Sequence, residues 1–290
     1  MIQLTDVTKR YDNTTVVDHL NLQINKGEIV GIIGHNGAGK STTLKMMVGL
    51  IEPTEGEVYV MGRNIQKEGV RVKQQIGYLP EDSPLYEAMT AQQYLLFFSE
   101  LYRMPHQKAV QRIDQLLDSL GLAEKSKLTG EFSKGMKRKT AIARALLHDP
   151  DLLILDEPNS GLDPLTSFFI INYLKTLKSE GKTIVLSAHN LFHVESICDR
   201  VGIIKNGHLL VFDTMETIRA KLGKREYQVI FKTDQKLDYE LVDGHYIFRA
   251  AELQAISGIL ETISENKWTL VDLSMKESAL EEIYVKLMTN

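Results

Sequence analysis

Cysteine is nearly absent from this chain of 290 residues, in which Cys198 is the single thiol. One cysteine excludes an internal disulfide and suits a reducing compartment, and we expect Cys198 to be a small core residue. No apolar run approaches the roughly 18 residues that a membrane-spanning helix needs. The opening segment 1–6 lacks the basic start and the apolar block of a signal peptide. We therefore expect a cytoplasmic chain that would need another subunit to reach a membrane.

Basic residues are not in surplus, since 34 Lys and Arg are set against 38 Asp and Glu and the formal net charge is −4. A protein that binds duplex nucleic acid usually has a basic stripe, whereas the densest basic run here, residues 134–139, is short. The contents of 43% apolar and 25% charged residues are ordinary for a soluble globular protein. The composition therefore predicts one large domain, alone or with a smaller one, that does not bind nucleic acid.

The most informative stretch follows an apolar run at residues 28–33 and precedes a helical pattern at 42–50. It fits the phosphate-binding pattern G-x-x-x-x-G-K-[ST] at every fixed position and consists of Gly34, His35, Asn36, Gly37, Ala38, Gly39, Lys40 and Ser41. Glycines let the backbone approach a polyphosphate, and the N–H groups and the helix dipole supply positive charge. Lys40 would reach the β- and γ-phosphates, and the hydroxyl of Ser41 would bind Mg²⁺. We predict a nucleotide site at this loop.

Two acidic residues, Asp156 and Glu157, come directly after the apolar run 152–155. The run indicates a buried parallel strand with the acids at its carboxyl end, and a further strand, residues 183–187, ends shortly before His189. Ligands of open α/β sheets bind at the carboxyl ends of the strands, so the loop, the acids and the histidine should meet at one edge. Asp156 would then hold Mg²⁺, and Glu157 would activate the attacking water as a general base. His189 would contact the γ-phosphate or that water.

The segments on either side of the loop indicate different local structures. Alternating apolar residues around a turn at Asp12 and Asn13 predict antiparallel strands before the loop. Helical spacing from about 90 to 147 predicts a helical insert. Its apolar stripe is either part of the core or a docking face for a partner, and consists of Tyr94, Leu95, Phe98, Leu101 and Tyr102.

The tail after residue 221 combines strand and helix patterns and predicts a small α+β domain without a catalytic cluster. We therefore expect the division between residues 1–221 and 222–290. The predicted fold class is α/β, with a P-loop NTPase core around a mostly parallel sheet. An antiparallel β subdomain, the helical insert and the small C-terminal domain complete it.

With these motifs in this order, residues 1–220 resemble the ATP-binding subunits of ABC transporters. The segment 34–41 is similar to the Walker A loop of that family, 152–157 to its Walker B strand and 160–163 to its D-loop. His189 is similar to the switch histidine, and Tyr11 matches the aromatic residue that stacks on adenine. The resemblance implies that ATP is bound with Mg²⁺ by the Walker A residues, Thr42 and Tyr11.

The segment 132–136 lies where the family has its signature, usually Leu-Ser-Gly-Gly-Gln. Ser133 could cap a following helix and leave its positive end facing an anion. In the family that anion is the γ-phosphate held by another subunit, so Ser133, Gly135 and the D-loop residue Asp163 would act on the ATP of a partner. A homodimer, or a pair with a related ATP-binding subunit, is therefore implied, and a lone chain should hydrolyse ATP poorly.

The chain departs from the common family pattern at several positions, namely Phe132, Lys134, Met136 and Asn159. Glu81 stands where the family usually has a glutamine that senses Mg²⁺ and the membrane partner. A carboxylate there can still bind metal-bound water but cannot donate a hydrogen bond. These variations, and the C-terminal extension, resemble the subgroup of drug and sodium exporters that have separate membrane subunits.

The resemblance implies an ATPase that powers transport, in the direction of export, through an integral membrane permease. The chain would lie on the inner face of the cell membrane as a peripheral subunit and would not bind the transported substrate itself. Two alternatives are a soluble ABC-type ATPase acting on ribosomes or DNA and a regulatory module that binds ATP without hydrolysing it. The first usually has paired cassettes or a long coiled coil, and the second does not need Asp156, Glu157 and His189. A GTP site would need an Asn-Lys-x-Asp segment, which the sequence lacks.

Overall fold

The computed structural model describes residues 1–124 and 126–289. Its contacts divide the chain into two compact units, Met1–Thr214 and Met215–Asn290. This division lies earlier than the boundary that the sequence led us to expect after residue 221. The helix of residues 215–222 contacts the last helix of the chain and is therefore grouped with the second unit.

The described residues form strands and helices whose bounds are as follows. The strands are β1 (Ile2–Tyr11), β2 (Thr14–Ile24), β3 (Ile29–Ile33), β4 (Glu55–Val60), β5 (Arg63–Asn64), β6 (Ile76–Leu79), β7 (Leu152–Leu155), β8 (Thr183–Ala188), β9 (Arg200–Lys205), β10 (His208–Thr214), β11 (Arg225–Lys232), β12 (Glu240–Val242), β13 (His245–Ala250) and β14 (Thr269–Glu277). The helices are α1 (Lys40–Met47), α2 (Ile65–Lys73), α3 (Ala91–Leu101), α4 (His106–Ser119), α5 (Lys134–Leu146), α6 (Pro164–Ser179), α7 (Leu191–Ile197), α8 (Met215–Leu222), α9 (Leu253–Glu265) and α10 (Leu280–Thr289). A short 3₁₀ helix, Thr129–Glu131, precedes α5.

The first unit contains two sheets. A four-stranded antiparallel sheet has the order β2-β1-β4-β5, and a six-stranded sheet has the order β10-β9-β3-β8-β7-β6. In the larger sheet only β10 runs antiparallel to its neighbour. The predicted mostly parallel sheet, the antiparallel subdomain and the turn at Asp12 are therefore confirmed.

The parallel strands lie in the centre of the unit because their sequences are almost uninterrupted apolar runs. Every residue of β3 and β7 is buried. Side chains from both sheets and from α1 form one core cluster, which includes Leu22, Ile32, Leu44, Val58 and Ile154. Burial on both faces is what such runs require, and it fixes the strand ends that carry the polar site residues.

The predicted helical insert is present as α3, α4 and α5. Thr90 begins α3 with a capping box, in which its hydroxyl accepts from the N–H of Gln93 while the side chain of Gln93 accepts from the N–H of Thr90. The apolar stripe of α3 is divided between two environments. Tyr94 and Leu95 are buried, whereas Leu101 is exposed.

The second unit is a four-stranded antiparallel sheet of order β12-β13-β11-β14 with helix α9 packed on it. Its core contains Val229 and Phe231 from β11 and Ile256, Ile259 and Ile263 from α9. The predicted small α+β character of this tail is confirmed. No helix among the described residues is long and apolar enough to cross a membrane.

Candidate functional site

The phosphate-binding loop lies between β3 and α1, as the sequence predicts. Gly39 has φ of +107°, and a Cβ at this residue would lie 2.6 Å from the carbonyl oxygen of Val16. Only glycine fits there, because other residues avoid this backbone region and the contact is with fixed backbone. The ammonium of Lys40 donates to the carbonyl oxygens of Gly34 at 2.8 Å and His35 at 3.2 Å. These contacts hold the lysine across the loop.

The carboxylate of Asp156 lies directly beside the start of α1. Ser41 Oγ donates to Asp156 Oδ1 at 3.1 Å, and Ser187 Oγ donates to the same oxygen at 2.5 Å. The geometry follows from the sheet order, since β3, β8 and β7 are adjacent and parallel. The prediction that these strand ends meet at one edge is confirmed. Ser187 was not predicted as a site residue, although a hydroxyl near the end of a buried apolar strand is a signal that could have identified it.

Glu157 is held in a constrained conformation next to Asp156. Its φ is +52°, and its backbone N–H donates to Ser187 Oγ at 2.9 Å. Glu157 Oε1 lies 3.1 Å from His189 Nε2, but the two atoms are not aligned as a hydrogen bond and Oε1 is buried without a partner. Burial raises the pKa of Glu157 to about 7, against the lowering effect of Lys40. A buried carboxylate with a free acceptor suits a group that takes a proton from water.

The burial and the charges around Glu157 also shift the pKa values of neighbouring side chains. Burial lowers the pKa of Lys40, while the nearby charges of Glu157 and Asp156 raise it. Burial and then the charge of Lys40 lower the pKa of His189, while the charges of Glu81 and Asp156 raise it. A cleft of about 510 Å³ opens above these groups and is lined by Val16, Asn36, Gly37, Ala38, Gly39, Lys40, Ser41, Thr42, Glu81, Glu157, Ser160 and His189.

Glu81 reaches the cleft from the loop after β6, and this loop is attached to helix α5. The buried guanidinium of Arg138 donates to the carbonyl oxygens of Pro80 at 3.3 Å and Glu81 at 3.0 Å. Burial lowers the pKa of Arg138, and the charges of Glu81 and Asp82 raise it. The sequence marked residues 134–139 only as a short basic run, and this pattern does not predict the contact of Arg138 with residues 80 and 81.

The remaining predicted site residues are not among those that line the cleft. Ser133 caps α5, as predicted, by accepting from the N–H of Met136 at 3.2 Å. Gly135 packs against Thr166, and Asp163 caps α6 by accepting from the N–H of the same Thr166 at 2.9 Å. Hydrogen bonds from Thr166 lower the pKa of Asp163. The expectation that these residues act on the nucleotide of a partner stays a prediction.

Tyr11 ends β1 and has an exposed ring. The ammonium of Lys9 lies 5.0 Å from the centre of this ring. An exposed aromatic face with a neighbouring cation is compatible with stacking on a base. The adenine role of Tyr11 also stays a prediction.

Known proteins resemble this chain over most of its length. The family described as ABC transporter matches residues 17–160. The bacitracin transport ATP-binding protein BcrA of Bacillus licheniformis is 36% identical over 99% of this chain and 97% of its own length. The ABC transporter ATP-binding protein NatA of Bacillus subtilis (strain 168) is 38% identical over 80% of this chain and 96% of its own length.

Solved structures agree with the sequence comparison. A structure of the ATP-binding subunit of an ABC transporter superposes with a TM-score of 0.70 and 34% identity, covering 76% of this chain and 92% of the other. A dimeric ATP-binding cassette in a post-hydrolysis state, bound to ADP and Pi, gives a TM-score of 0.68 and 30% identity over 74% of this chain and 99% of that one. Because the fold, the motifs and the relatives agree, this chain belongs to the ABC transporter family, as an ATP-binding and ATP-hydrolysing subunit.

Proposed function

We propose that the cleft above β3, β7 and β8 holds ATP together with Mg²⁺, and that Glu157 is the general base for hydrolysis. The observation that carries this proposal is the grouping of Lys40, Ser41, Asp156, Glu157 and His189 at one sheet edge. Lys40 binds the β- and γ-phosphates, Glu157 accepts a proton from the attacking water, and His189 orients that water or contacts the γ-phosphate. The loop residues 34–42 contact the phosphates through their backbone N–H groups.

The oxygen atoms at the base of the cleft suit a magnesium ion. Ser41 Oγ and Asp156 Oδ1 lie 3.1 Å apart, and Glu81 lines the same cleft. Mg²⁺ prefers oxygen ligands and commonly takes one or two from the protein and the others from phosphates and water. Among the described residues no cluster of three or more His, Cys, Asp or Glu could hold a metal. The ion would neutralise charge that develops on the phosphates.

Two chains would be needed to complete each site. Ser133, Gly135 and Asp163 do not line the cleft that holds Lys40 in the same chain. The capped start of α5 is a positive helix end, which favours an anion such as a γ-phosphate. The similar cassette that is dimeric with ADP and Pi bound supports the pairing of two chains, and we propose that the pair is head-to-tail. In this arrangement the signature of one chain contacts the ATP of the other, and Tyr11 stacks on the adenine.

A separate membrane subunit would carry the transported compound. A relative that matches over 97% of its own length is named a bacitracin transport ATP-binding protein. We place the chain on the cytoplasmic face of the membrane, bound to such a permease through the helical insert. Aromatic and aliphatic side chains on or near α3 are exposed there, namely Tyr86, Phe97, Leu101 and Tyr102. Export of an antibiotic or a similar compound is supported by relatives named for bacitracin transport and linearmycin resistance.

The test of the hydrolytic role is Glu157→Gln. The amide keeps the shape of the side chain but cannot accept the proton, so turnover should fall by about 10² to 10⁴-fold. ATP binding should persist, and an ATP-bound dimer should accumulate in sedimentation experiments. The matched control is Glu180→Gln at the exposed end of α6, which should leave turnover unchanged. Turnover of Glu157→Gln equal to that of the control would remove Glu157 from the chemistry.

A further inference from the structure

The C-terminal sheet ends on a long strand with one open side. In the part of the chain that the structure describes, β14 is hydrogen-bonded to β11, and no strand pairs with its other side. Every residue of β14 from Thr269 to Lys276 is exposed. Natural proteins usually protect such an edge with short strands, proline, bulges or charged side chains, because an open edge pairs readily with another chain. The opposite edge strand, β12, is much shorter.

An apolar surface continues from the covered part of the sheet onto β14. Val229 on β11 is opposite Leu273, and Tyr227 is opposite Met275, so these four side chains lie on one face. Helix α9 packs on β11 and β13 and buries Val229 completely. Leu273 and Met275 remain 48% and 51% exposed, and Leu270 on the same face is 44% exposed. The apolar face therefore extends beyond the helix that covers it.

An irregularity limits the part of β14 that can pair regularly. Phe231 is opposite Leu270 and Ile230 is opposite Asp272, so Val271 forms a bulge. From Asp272 to Glu277 the register with β11 is continuous. This segment is the regular edge that another strand could join.

The sequence of this segment is self-complementary under a twofold axis. If two copies pair antiparallel with Ser274 opposite Ser274, then Asp272 is opposite Lys276 twice and Leu273 is opposite Met275 twice. Oppositely charged and apolar cross-strand pairs are both favourable. With the axis at Met275, Leu273 would instead be opposite Glu277. With the axis at Asp272, two carboxylates would be opposite each other, which is unfavourable.

We propose that two copies of this chain associate through β14, with Ser274 on the twofold axis and Asp272 opposite Lys276 of the second copy. The two sheets become continuous, and the exposed apolar residues Leu273 and Met275 of each copy lie side by side. Stable interfaces bury more than about 1,000 Å², which a strand edge of this length does not reach. The contact is therefore weak by itself, and it is independent of ATP and of the head-to-tail contact proposed above.

Cysteine cross-linking of the full-length protein without nucleotide tests the axis. Residues directly opposite each other in antiparallel strands have Cα atoms about 4.5 to 5.5 Å apart, within the range of a disulfide. Ser274→Cys should form a disulfide-linked dimer under mild oxidation at least about tenfold faster than Ser264→Cys, a matched exposed serine on α9. The native Cys198 is buried and should not contribute. Equal rates for the two variants would overturn the proposal.

Charge reversal tests the register. Asp272→Lys places two lysines opposite each other at both ends of the contact, and sedimentation should show about tenfold weaker association. Lys276→Asp should weaken the association similarly. Part of this effect is local, because the new aspartate lies near Glu226 and Glu282 of its own chain. The double variant keeps those local effects but restores the pairs, so it should associate more tightly than Lys276→Asp alone. Thermal melts check that each variant is folded.

Three results would refute this assignment. Nucleotide-free protein that stays monomeric at about 100 μM, the range expected for a small interface, would exclude the contact. A dimer that is insensitive to both charge reversals would place the contact on another face. A cross-link from Ser274→Cys to a different polypeptide in native membranes, with none between copies, would assign this edge to another partner. Loss of ATP-dependent dimerisation in Glu157→Gln would affect only the head-to-tail proposal.

Discussion

Replacing Arg138 by methionine tests whether α5 and the loop of Glu81 are physically connected. Arg138 is buried, and its guanidinium donates to the carbonyl oxygens of Pro80 and Glu81. Methionine is apolar and matches the aliphatic part of the arginine side chain, so it keeps that packing but makes neither hydrogen bond. The substitution should release the Glu81 loop without touching the phosphate loop.

The magnitude follows from the two contacts. A hydrogen bond from a charged group contributes about 1.5 to 3 kcal/mol, and the longer contact to Pro80 counts for less. Part of this loss in stability is offset, because the variant no longer has to desolvate a buried guanidinium when it folds. We therefore expect a loss of about 2 kcal/mol in the free energy of unfolding. For a unit of this size it corresponds to a drop of about 4 to 8 °C in the melting temperature.

Lys137→Met is the matched control, since it removes an adjacent positive charge from the same helix. Lys137 makes an ion pair of 3.3 Å with the exposed Glu87, and such surface pairs contribute about 0 to 1 kcal/mol. Calorimetry should show a clear shift for Arg138→Met and little for the control. ATP affinity should be unchanged in both, whereas turnover should fall only in Arg138→Met because Glu81 is displaced. Equal melting temperatures and equal turnover would refute the connection.

Three further changes test other parts of the site and core. Lys40→Ala should abolish most ATP binding in a titration, because it removes the cation that reaches the phosphates; unchanged affinity would contradict the phosphate assignment. Burial raises the pKa of Glu157 from 4.5 to about 7, so without metal and nucleotide the stability should fall as pH rises between these values, and urea unfolding of Glu157→Gln should lack this decrease. Gly31→Ala would place a methyl group 2.9 Å from Cys198 Sγ and should destabilise by about 1 to 3 kcal/mol; Cys198→Ala should restore part of this loss in chemical denaturation.

The sequence predicted the central part of the site because each of its groups follows an element with a strong pattern. The loop 34–41 is a full motif, and Asp156 and His189 come after apolar strands whose carboxyl ends meet in any parallel sheet. Ser133 was predicted as a helix cap from its residue type and position, and the structure confirms that cap. These features depend on local sequence and on general rules of topology.

The contacts that the sequence did not predict join residues far apart in the chain. Ser187 touches Asp156 across two neighbouring strands, and Arg138 contacts carbonyl groups of residues 80 and 81. Backbone carbonyls are present at every residue, so nothing in the sequence marks these two as acceptors. The division after Thr214 lies earlier than the expected one because α8 belongs to the second unit. Its partner, α10, lies far along the chain, so the local sequence does not show this pairing.

Helix α5 has two side chains that connect its start to loops at the edge of its own cleft. Lys134, where the family usually has glycine, lies over Gly161 of the D-loop, close enough that a Cβ on Gly161 would be 2.1 Å from its Nζ. Arg138, one turn later, contacts the Glu81 loop. Ser160, next to Gly161, and Glu81 both line the cleft. The helix that is proposed to contact a partner's ATP is therefore in contact with two loops beside the cleft of its own chain. A glycine at residue 134 could not make this contact with Gly161.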